Sequence, residues 1–337
     1  MIADRVQAQN APHVEGLTFR RFRGEGDYPK MAAVIEASKG VDQIERTNSV
    51  EEIAHGYAHL VNCDPHQDMI FAEADGEVIG YGRAWWAQQS NGERIYWHIG
   101  FLKPAWRRKR IGTAMLLFLQ NRMAQVAAAD PGDGRRYFQA WVADTEQGTE
   151  MLLQKHHYTA VRYGFEMIRP DLEAIPDFPL PAGLEVRPVL PEHYRQIWEA
   201  DVEAFKDHWG YSPPTDEDYR AWLSNPVQFT PALWQVAWEV ETDQVAGMVR
   251  GFINEEENGQ YQRRRGWSEN ISTRRPWRKR GLARALIVRT LRMFKEMGMT
   301  ESALGVDAQN PTGALRVYEA CGFRAVKRSS TYRKLLE

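Results

Sequence analysis

Two stretches of this chain repeat one another, and the repeat constrains the fold more than any other feature. Lys103-Pro-Ala-Trp-Arg-Arg-Lys-Arg-Ile-Gly-Thr-Ala114 parallels Arg274-Arg-Pro-Trp-Arg-Lys-Arg-Gly-Leu-Ala-Arg-Ala285, and Arg107 and Arg278 lie 278 − 107 = 171 residues apart, about half of the 337. Leu17-Thr-Phe-Arg-Arg-Phe22 likewise resembles Leu184-Glu-Val-Arg-Pro-Val189, and Tyr163-Gly-Phe165 resembles Cys321-Gly-Phe323. A chain of this length exceeds one core and suits two domains of ~170 residues, so the repeat reads as a duplicated domain. Between the copies, Ile168 to Gly183 carries Pro170, Pro176, Pro179 and Pro181. Prolines this dense forbid a helix and disfavour a central strand, which predicts a semi-rigid linker. The expected division is a flexible N-terminus over 1–16, a first domain over 17–169, a linker over 170–183 and a second domain over 184–337.

Each copy reads as a strand, one or two helices, a hairpin, a third antiparallel run, a long helix, a strand, a helix and a final strand pair. Ile70–Ala74 and Val78–Gly82 flank Asp75-Gly76, a tight hairpin signal, and Trp234–Val240 and Val245–Val249 flank a turn around Asp243. After Arg280, the residues Leu282, Leu286, Ile287, Leu291, Phe294 and Met297 fall at helical spacing and mark a core face. Strands and helices mixed with adjacent hairpins imply an α+β fold, in each domain a mixed, mostly antiparallel twisted sheet flanked by helices.

Composition narrows the function. With 43% hydrophobic and 26% charged residues the chain is an ordinary globular protein, not a disordered or coiled-coil one. No window approaches a membrane span, and Met1 to Gly16 lacks a basic region followed by an apolar stretch, so a cytoplasmic protein with no membrane partner is expected. Cys63 and Cys321 stand alone, which predicts neither a disulfide nor a metal site. A net charge of −2 argues against a nucleic-acid partner, yet Arg263–Arg265, Arg274, Arg275, Arg278, Lys279 and Arg280 concentrate positive charge in one stretch suited to a local anion.

Arg278-Lys-Arg-Gly-Leu-Ala283 fits the pattern RxxGxA between a strand-like run, Ser268–Thr273, and an amphipathic helix. A glycine there lets backbone amides approach a ligand, and the free N–H groups of a helix start attract phosphate oxygens, so the segment reads as a pyrophosphate cradle. Downstream comes Val306-Asp-Ala-Gln-Asn-Pro-Thr-Gly-Ala-Leu-Arg-Val-Tyr-Glu-Ala-Cys-Gly-Phe323. With these two signatures in order, the chain resembles the GNAT superfamily of acyl-CoA-dependent N-acetyltransferases. Arg278, Gly281 and Ala283 match the phosphate loop, and Asn310, Ala314, Tyr318, Gly322 and Phe323 match the NxxAxxxYxxxGF helix. The resemblance covers both halves, and the tandem layout is similar to that of mycothiol synthase and its relatives.

The resemblance implies two tandem GNAT-like domains, acetyl-CoA as cofactor and a small-molecule or peptide amine as acceptor, in a monomer or homodimer. Direct attack needs a neutral amine, so a base must remove a proton from an ammonium that titrates near 10.4, and an acid must protonate the departing thiolate. Tyr318 would be that acid and Glu269 the base. The cofactor would lie along Ile271, Ser272 and Thr273, whose backbone polarises the thioester carbonyl, and on Arg278, Lys279, Arg280, Gly281, Leu282, Ala283, Asn310, Ala314 and Tyr318. Phe205, Asp207, His208 and Trp209 are candidate acceptor contacts. Asn310 is also a candidate cap for the helix after Pro311, and Gly322 a helix terminator.

The first copy departs from the pattern. Arg107, Arg108, Lys109, Arg110, Ile111, Gly112 and Thr113 would form a second CoA site, but Arg110 replaces the glycine. Ala160 lies four residues before Gly164, the spacing at which Tyr318 precedes Gly322, and by the 171-residue offset His98 falls at the place of Glu269. Tyr158 and Tyr163 lie at other phases. Asp144-Thr-Glu-Gln-Gly148 lacks the asparagine, and its distance to Gly164 implies an altered last helix. The first domain is therefore expected to be catalytically degenerate, structural or CoA-holding, and the second catalytic. A non-catalytic acyl-CoA-binding or sensing protein is the alternative.

Overall fold

The computed structural model describes residues 4–45, 49–130, 132, 134–310 and 313–337. Two compact units make up the chain: Met1–Arg162 together with Ser329–Glu337, and Tyr163–Arg328.

In the first unit the order is β1 (Leu17–Arg20), α1 (Tyr28–Asp42), α2 (Val50–Ala58), α3 (Pro65–Asp68), β2 (Met69–Ala74), β3 (Glu77–Gln88), β4 (Arg94–Leu102), α4 (Ile111–Ala129), β5 (Arg136–Ala143), α5 (Gln147–Lys155) and the start of β6 (Thr159–Arg169). The strands β1 to β5 pair in sequence order, with β4–β5 parallel and the others antiparallel. Asp75 (φ 50°) and Gly76 (φ 84°) make the expected two-residue turn between β2 and β3. One core lies against α4, with Ile70, Tyr96, Ile111, Leu119 and Phe138, and a second gathers Phe22, Met31, Val34, Met69 and Phe71 with α1. The expected flexible N-terminus is corrected for its later residues. Arg5 bridges to Arg20, the Val6 N–H donates to the Phe19 carbonyl and the Arg21 N–H to that of Asp4, so these residues extend the sheet beside β1.

The second unit repeats the plan with β7 (Leu184–Arg187), α6 (Tyr194–Phe205), α7 (Asp216–Leu223), β8 (Trp234–Glu239), β9 (Gln244–Phe252), α8 (Glu255–Gln260), β10 (Arg265–Thr273), α9 (Leu282–Glu296), β11 (Glu301–Asp307), α10 (Ala314–Ala320) and the start of β12 (Arg324–Leu335). Its strands run β7-β8-β9-β10-β11, with β10–β11 parallel. Leu282, Leu286, Ile287, Leu291 and Phe294 are buried as expected, and Gly251 and Gly266 leave room for the Phe294 ring, which a Cβ at Gly266 would meet within 2.6 Å. Met297 is a correction: it follows the last turn of α9 and is 46% exposed. Trp234 and Trp238 are core residues.

Instead of a final strand pair, each copy ends in one long strand. From Gly164 to Arg169, β6 pairs antiparallel with β11, and from Ser329 to Leu335, β12 pairs antiparallel with β5. Each copy's last strand thus completes the sheet of the other unit, so the expected boundaries at 169 and 184 give way to divisions at 162/163 and 328/329. The proline-rich segment has neither helix nor strand, but Leu172 is buried in the second unit's core and Ile175, Phe178 and Leu180 pack on it. It is a strap on that unit rather than a free spacer.

The helix-end hydrogen bonds also correct the alignment of the copies. Phe323 N–H donates to the Tyr318 carbonyl and Gly322 N–H to that of Glu319; Tyr158 N–H donates to Leu153 and His157 N–H to Gln154. His157 (φ 65°) and Gly322 (φ 87°) share the left-handed turn that ends each helix. Leu153, not Ala160, therefore occupies the tyrosine position. Tyr163-Gly-Phe165 lies within β6, and the last helix of the first copy is preserved rather than rearranged.

Candidate active site

A cavity of about 940 Å³ opens in the second unit where β10 and β11 part company. Their parallel pairing is registered only from Arg265↔Glu301 to Trp267↔Ala303, and beyond it Ser268–Thr273 and Gly305–Asp307 form opposite walls. On the β10 side the strand carries a bulge. Against β9 the register moves from Glu269↔Arg250 to Ser272↔Met248, and Asn270 within it takes φ 46°. By contrast, β3–β4 runs without interruption from Gly80↔Leu102 to Gln88↔Arg94.

The cavity gathers nearly every residue singled out in the second copy: Glu269, Ile271, Ser272, Thr273, Arg278, Lys279, Gly281, Leu282, Ala283, Asn310, Ala314, Tyr318, Phe205, Asp207 and His208 all line it. Arg280 and Trp209 are not among the lining residues. The Arg280 guanidinium donates to the Ala182 carbonyl at 3.2 Å, and Trp209 is 37% exposed. Asn310 is not the N-cap of α10; that place belongs to Gly313 at φ 75°, and Pro311 lies outside the described residues.

Glu269 projects from the last register pair before the bulge, and its carboxylate accepts the Gly305 N–H at 3.0 Å. Burial pushes it up to about 7, against backbone N–H donation from Gly305 and Asn270 and the charge of Arg250. Tyr318, on α10 and 7% exposed, is pushed up by burial and by the neighbouring Glu269 charge. One group thus exchanges a proton near neutrality while the other keeps its own, a division suited to base and acid. His208, whose ring lies tilted against Phe205 with centroids 4.4 Å apart, is lowered by burial.

At the other end, Gly281 (φ 89°) is the N-cap of α9 without a side-chain cap, so the first-turn N–H groups of a 15-residue helix have no side-chain acceptor at the cap. Ser272 Oγ and Thr273 Oγ1 are buried without hydrogen-bond partners along the same wall. Uncapped amides for phosphates and unpaired hydroxyls on a strand edge fit a long, polar, anionic ligand. The Arg278 side chain does not itself reach for an anion. It donates to the carbonyls of Thr273 and Ala204 at 3.0 Å and pairs with Asp207 at 2.7 Å, so its part is to hold the loop. Hydrogen bonds from Arg275 and then Arg278 keep the Asp207 carboxyl well below the usual range.

The first-copy loop has the same backbone with different side chains. Arg108 and Lys279 share φ 62°, and Arg110 takes φ 65° where Gly281 takes 89°. Arg107 donates to the Leu102 carbonyl, as Arg278 does to that of Thr273, and pairs bidentately with Asp42 at 2.5 and 2.7 Å, where Arg278 makes a single bond to Asp207. The place of Glu269, however, is sealed. His98 is buried, bonded to Tyr158 Oη at 2.7 Å, and lowered by burial to about 4. Gln120 donates to the same oxygen at 2.8 Å.

Sequence reasoning missed Asn270, Gly305, Asp307, Arg284 and Val317 on the cavity wall. Asn270 and Gly305 matter through backbone geometry, which residue type signals weakly. Among the described residues no helix is long and apolar enough to cross a membrane.

Known proteins with this architecture make a consistent group. Residues 39–152 and 194–323 match the Acetyltransferase (GNAT) family. The mycothiol acetyltransferase of Salinispora arenicola (strain CNS-205) is 25% identical over 306 residues, covering 88% of this chain and 91% of that protein. A GCN5-related N-acetyltransferase from Sphaerobacter thermophilus superposes with TM-score 0.71 at 25% identity over 96% of both chains. A tandem GNAT protein from the clavulanic acid biosynthesis pathway shares the fold at TM-score 0.64 and 14% identity, over 95% of this chain and 98% of that one.

Proposed function

The chain belongs to the acetyltransferase (GNAT) family and is an N-acetyltransferase, and from that premise we propose that its second unit carries acetyl from acetyl-CoA to a primary amine by direct attack. One observation carries the reading: Glu269 and Tyr318 line the same cavity as the uncapped start of α9.

When bound, acetyl-CoA supplies an activated acyl group as a thioester. Its phosphates would rest on the backbone of Lys279–Ala283 and its arm along Ile271–Thr273, where the Ser272 and Thr273 hydroxyls lack partners. Glu269, poised near neutrality, takes the proton that an ammonium must lose before its nitrogen can attack. Tyr318 retains its proton at every physiological pH and delivers it to the departing sulfur. The acceptor is an amine on a small molecule or peptide, entering past Phe205 and His208. No nucleophilic side chain is required: burial pushes the Cys321 thiol up to about 11, which keeps it protonated.

The first unit is read as structural or CoA-holding. Leucine stands at the phenol position, β4 has no bulge, and the buried His98–Tyr158 bond fills the place of the base.

Calorimetric titration with acetyl-CoA tests this reading, comparing wild type with Gly281→Glu, followed by an amine panel scored for thiol release. Binding lost in Gly281→Glu and acetylated product from the panel are expected. A variant that binds as well as wild type removes the cradle from the second unit.

A further inference from the structure

Beneath Glu269 lies a buried ion pair that the reaction as described does not use. Arg250 on β9 is the cross-strand partner of Glu269 in the last register before the bulge, so the two side chains leave the same face of the sheet with Cβ atoms about 5 Å apart. Arg250 is 9% exposed, and its guanidinium lies within 5.4 Å of the Trp222 ring centroid and bonds through one nitrogen to Asp201 of α6 at 2.9 Å. Its Nε has no partner, nor has Asp201 Oδ1, although both are buried. Asp201 also accepts from the side chain of Asn270, the left-handed residue of the bulge, at 3.4 Å.

A buried ion pair with two unsatisfied atoms is a poor source of stability, since well-packed apolar residues would do as well or better. Its place answers the question of use. A cation opposite the carboxylate favours its ionised form, and the carboxylate of Asp201 holds that cation and the bulge at once.

We propose that Arg250 and Asp201 are positioning residues for acyl transfer, Arg250 setting the proton affinity of Glu269 across the strand pair and Asp201 fixing Arg250 and the bulge that aims Glu269 into the cavity. This inference rests on the reading of Glu269 as base. Other charged groups face Glu269 too: Glu166 of β6, held by Arg265 at 3.5 Å, raises it, and Tyr318, His208 and Asp307 line the same space. Arg250 is the cation that Glu269 feels from its own sheet neighbour and the one whose removal leaves that set intact.

The test reads Glu269 directly, without an acceptor. Side-chain 13C-glutamate labelling of the full chain, with Glu269 assigned by its absence in Glu269→Gln, gives its titration midpoint in wild type, Arg250→Gln, Arg250→Lys and Asp201→Asn. Arg250→Gln is expected to move the midpoint up by about one pH unit and Asp201→Asn to move it down, with Arg250→Lys close to wild type. Loosened packing would let water in and lower the midpoint in both variants, so a fall in Arg250→Gln, or no change, overturns the proposal. Should Arg250→Gln fail to fold, the Arg250→Lys and Asp201→Asn pair decides: a downward shift confined to Asp201→Asn supports it, and equal shifts in both overturn it. If the midpoints move as expected while Glu269→Gln keeps full activity, the base reading fails and the coupling of Arg250 to Glu269 stands.

Discussion

Leu153 stands in the first unit where Tyr318 stands in the second. Each carbonyl accepts the amide five residues on, from Tyr158 in one case and Phe323 in the other, so the two helix ends superpose by hydrogen bonding rather than by residue type. A side chain without a titratable proton thus replaces the proposed acid.

Tyr318→Phe should lower turnover by about a hundredfold or more while acetyl-CoA affinity changes little, because a phenol that gives a proton acts in the transition state and not in binding. Steady-state kinetics and calorimetry on one preparation check this. Equal loss of turnover and affinity would assign Tyr318 to packing.

Glu269 gives a pH dependence with a definite sign. The folded chain holds its proton up to about 7, whereas the ordinary glutamate value is 4.5, so activity that needs the carboxylate should fall as pH drops through about 7. Stability runs the other way. The folded state binds the extra proton between the two values, so its contribution is full below 4.5 and is lost as pH rises through about 7. Glu269→Gln should therefore be more stable than wild type at pH 8, by about 1–3 kcal/mol, and nearly equal to it at pH 4.5. Denaturant unfolding at the two pH values measures the difference.

The loop before α9, the tyrosine helix and the duplicated plan were legible because each rests on residue types at fixed spacing. Three features were not. The copies keep a 171-residue offset through the loop, but α4 and its exit are longer than their counterparts, so the glycine at 164 matched Gly322 by letter while the true turn residue was His157. The exchange of β6 and β12 was hidden because alternation along a strand tells which face is buried and not which sheet it joins. The bulge at Asn270 was invisible for a related reason: an asparagine on a strand does not announce a left-handed backbone, and only the shifted register against β9 reveals it.

The left-handed position before each long helix offers a backbone test. Arg110 holds φ 65° with a side chain, while Gly281 holds 89° without one. Arg110→Gly should stabilise the first unit by up to about 1 kcal/mol, and Gly281→Ala should cost about 1 kcal/mol and weaken acetyl-CoA binding. Thermal melts with and without acetyl-CoA separate the two effects. A destabilised Arg110→Gly would mean that the arginine side chain contributes more than its backbone costs.

The paired arginines separate stability from ligand binding. Arg107 and Arg278 each tie their loop to the preceding strand end, through Leu102 and Thr273, and to an acid, Asp42 or Asp207. Replacing either with glutamine removes charge-assisted bonds in a partly exposed setting, so each should lower stability by about 1–3 kcal/mol. Their effects on acetyl-CoA should differ. Arg278 orders the backbone proposed to hold the phosphates, so Arg278→Gln should weaken binding at least tenfold, whereas Arg107→Gln should leave the site in the second unit untouched. Calorimetry then counts sites. One per chain, weakened only by Arg278→Gln, means the first-unit loop kept its shape as scaffold after losing its ligand; a second site lost in Arg107→Gln means that loop, with arginine at the glycine position, still holds a CoA.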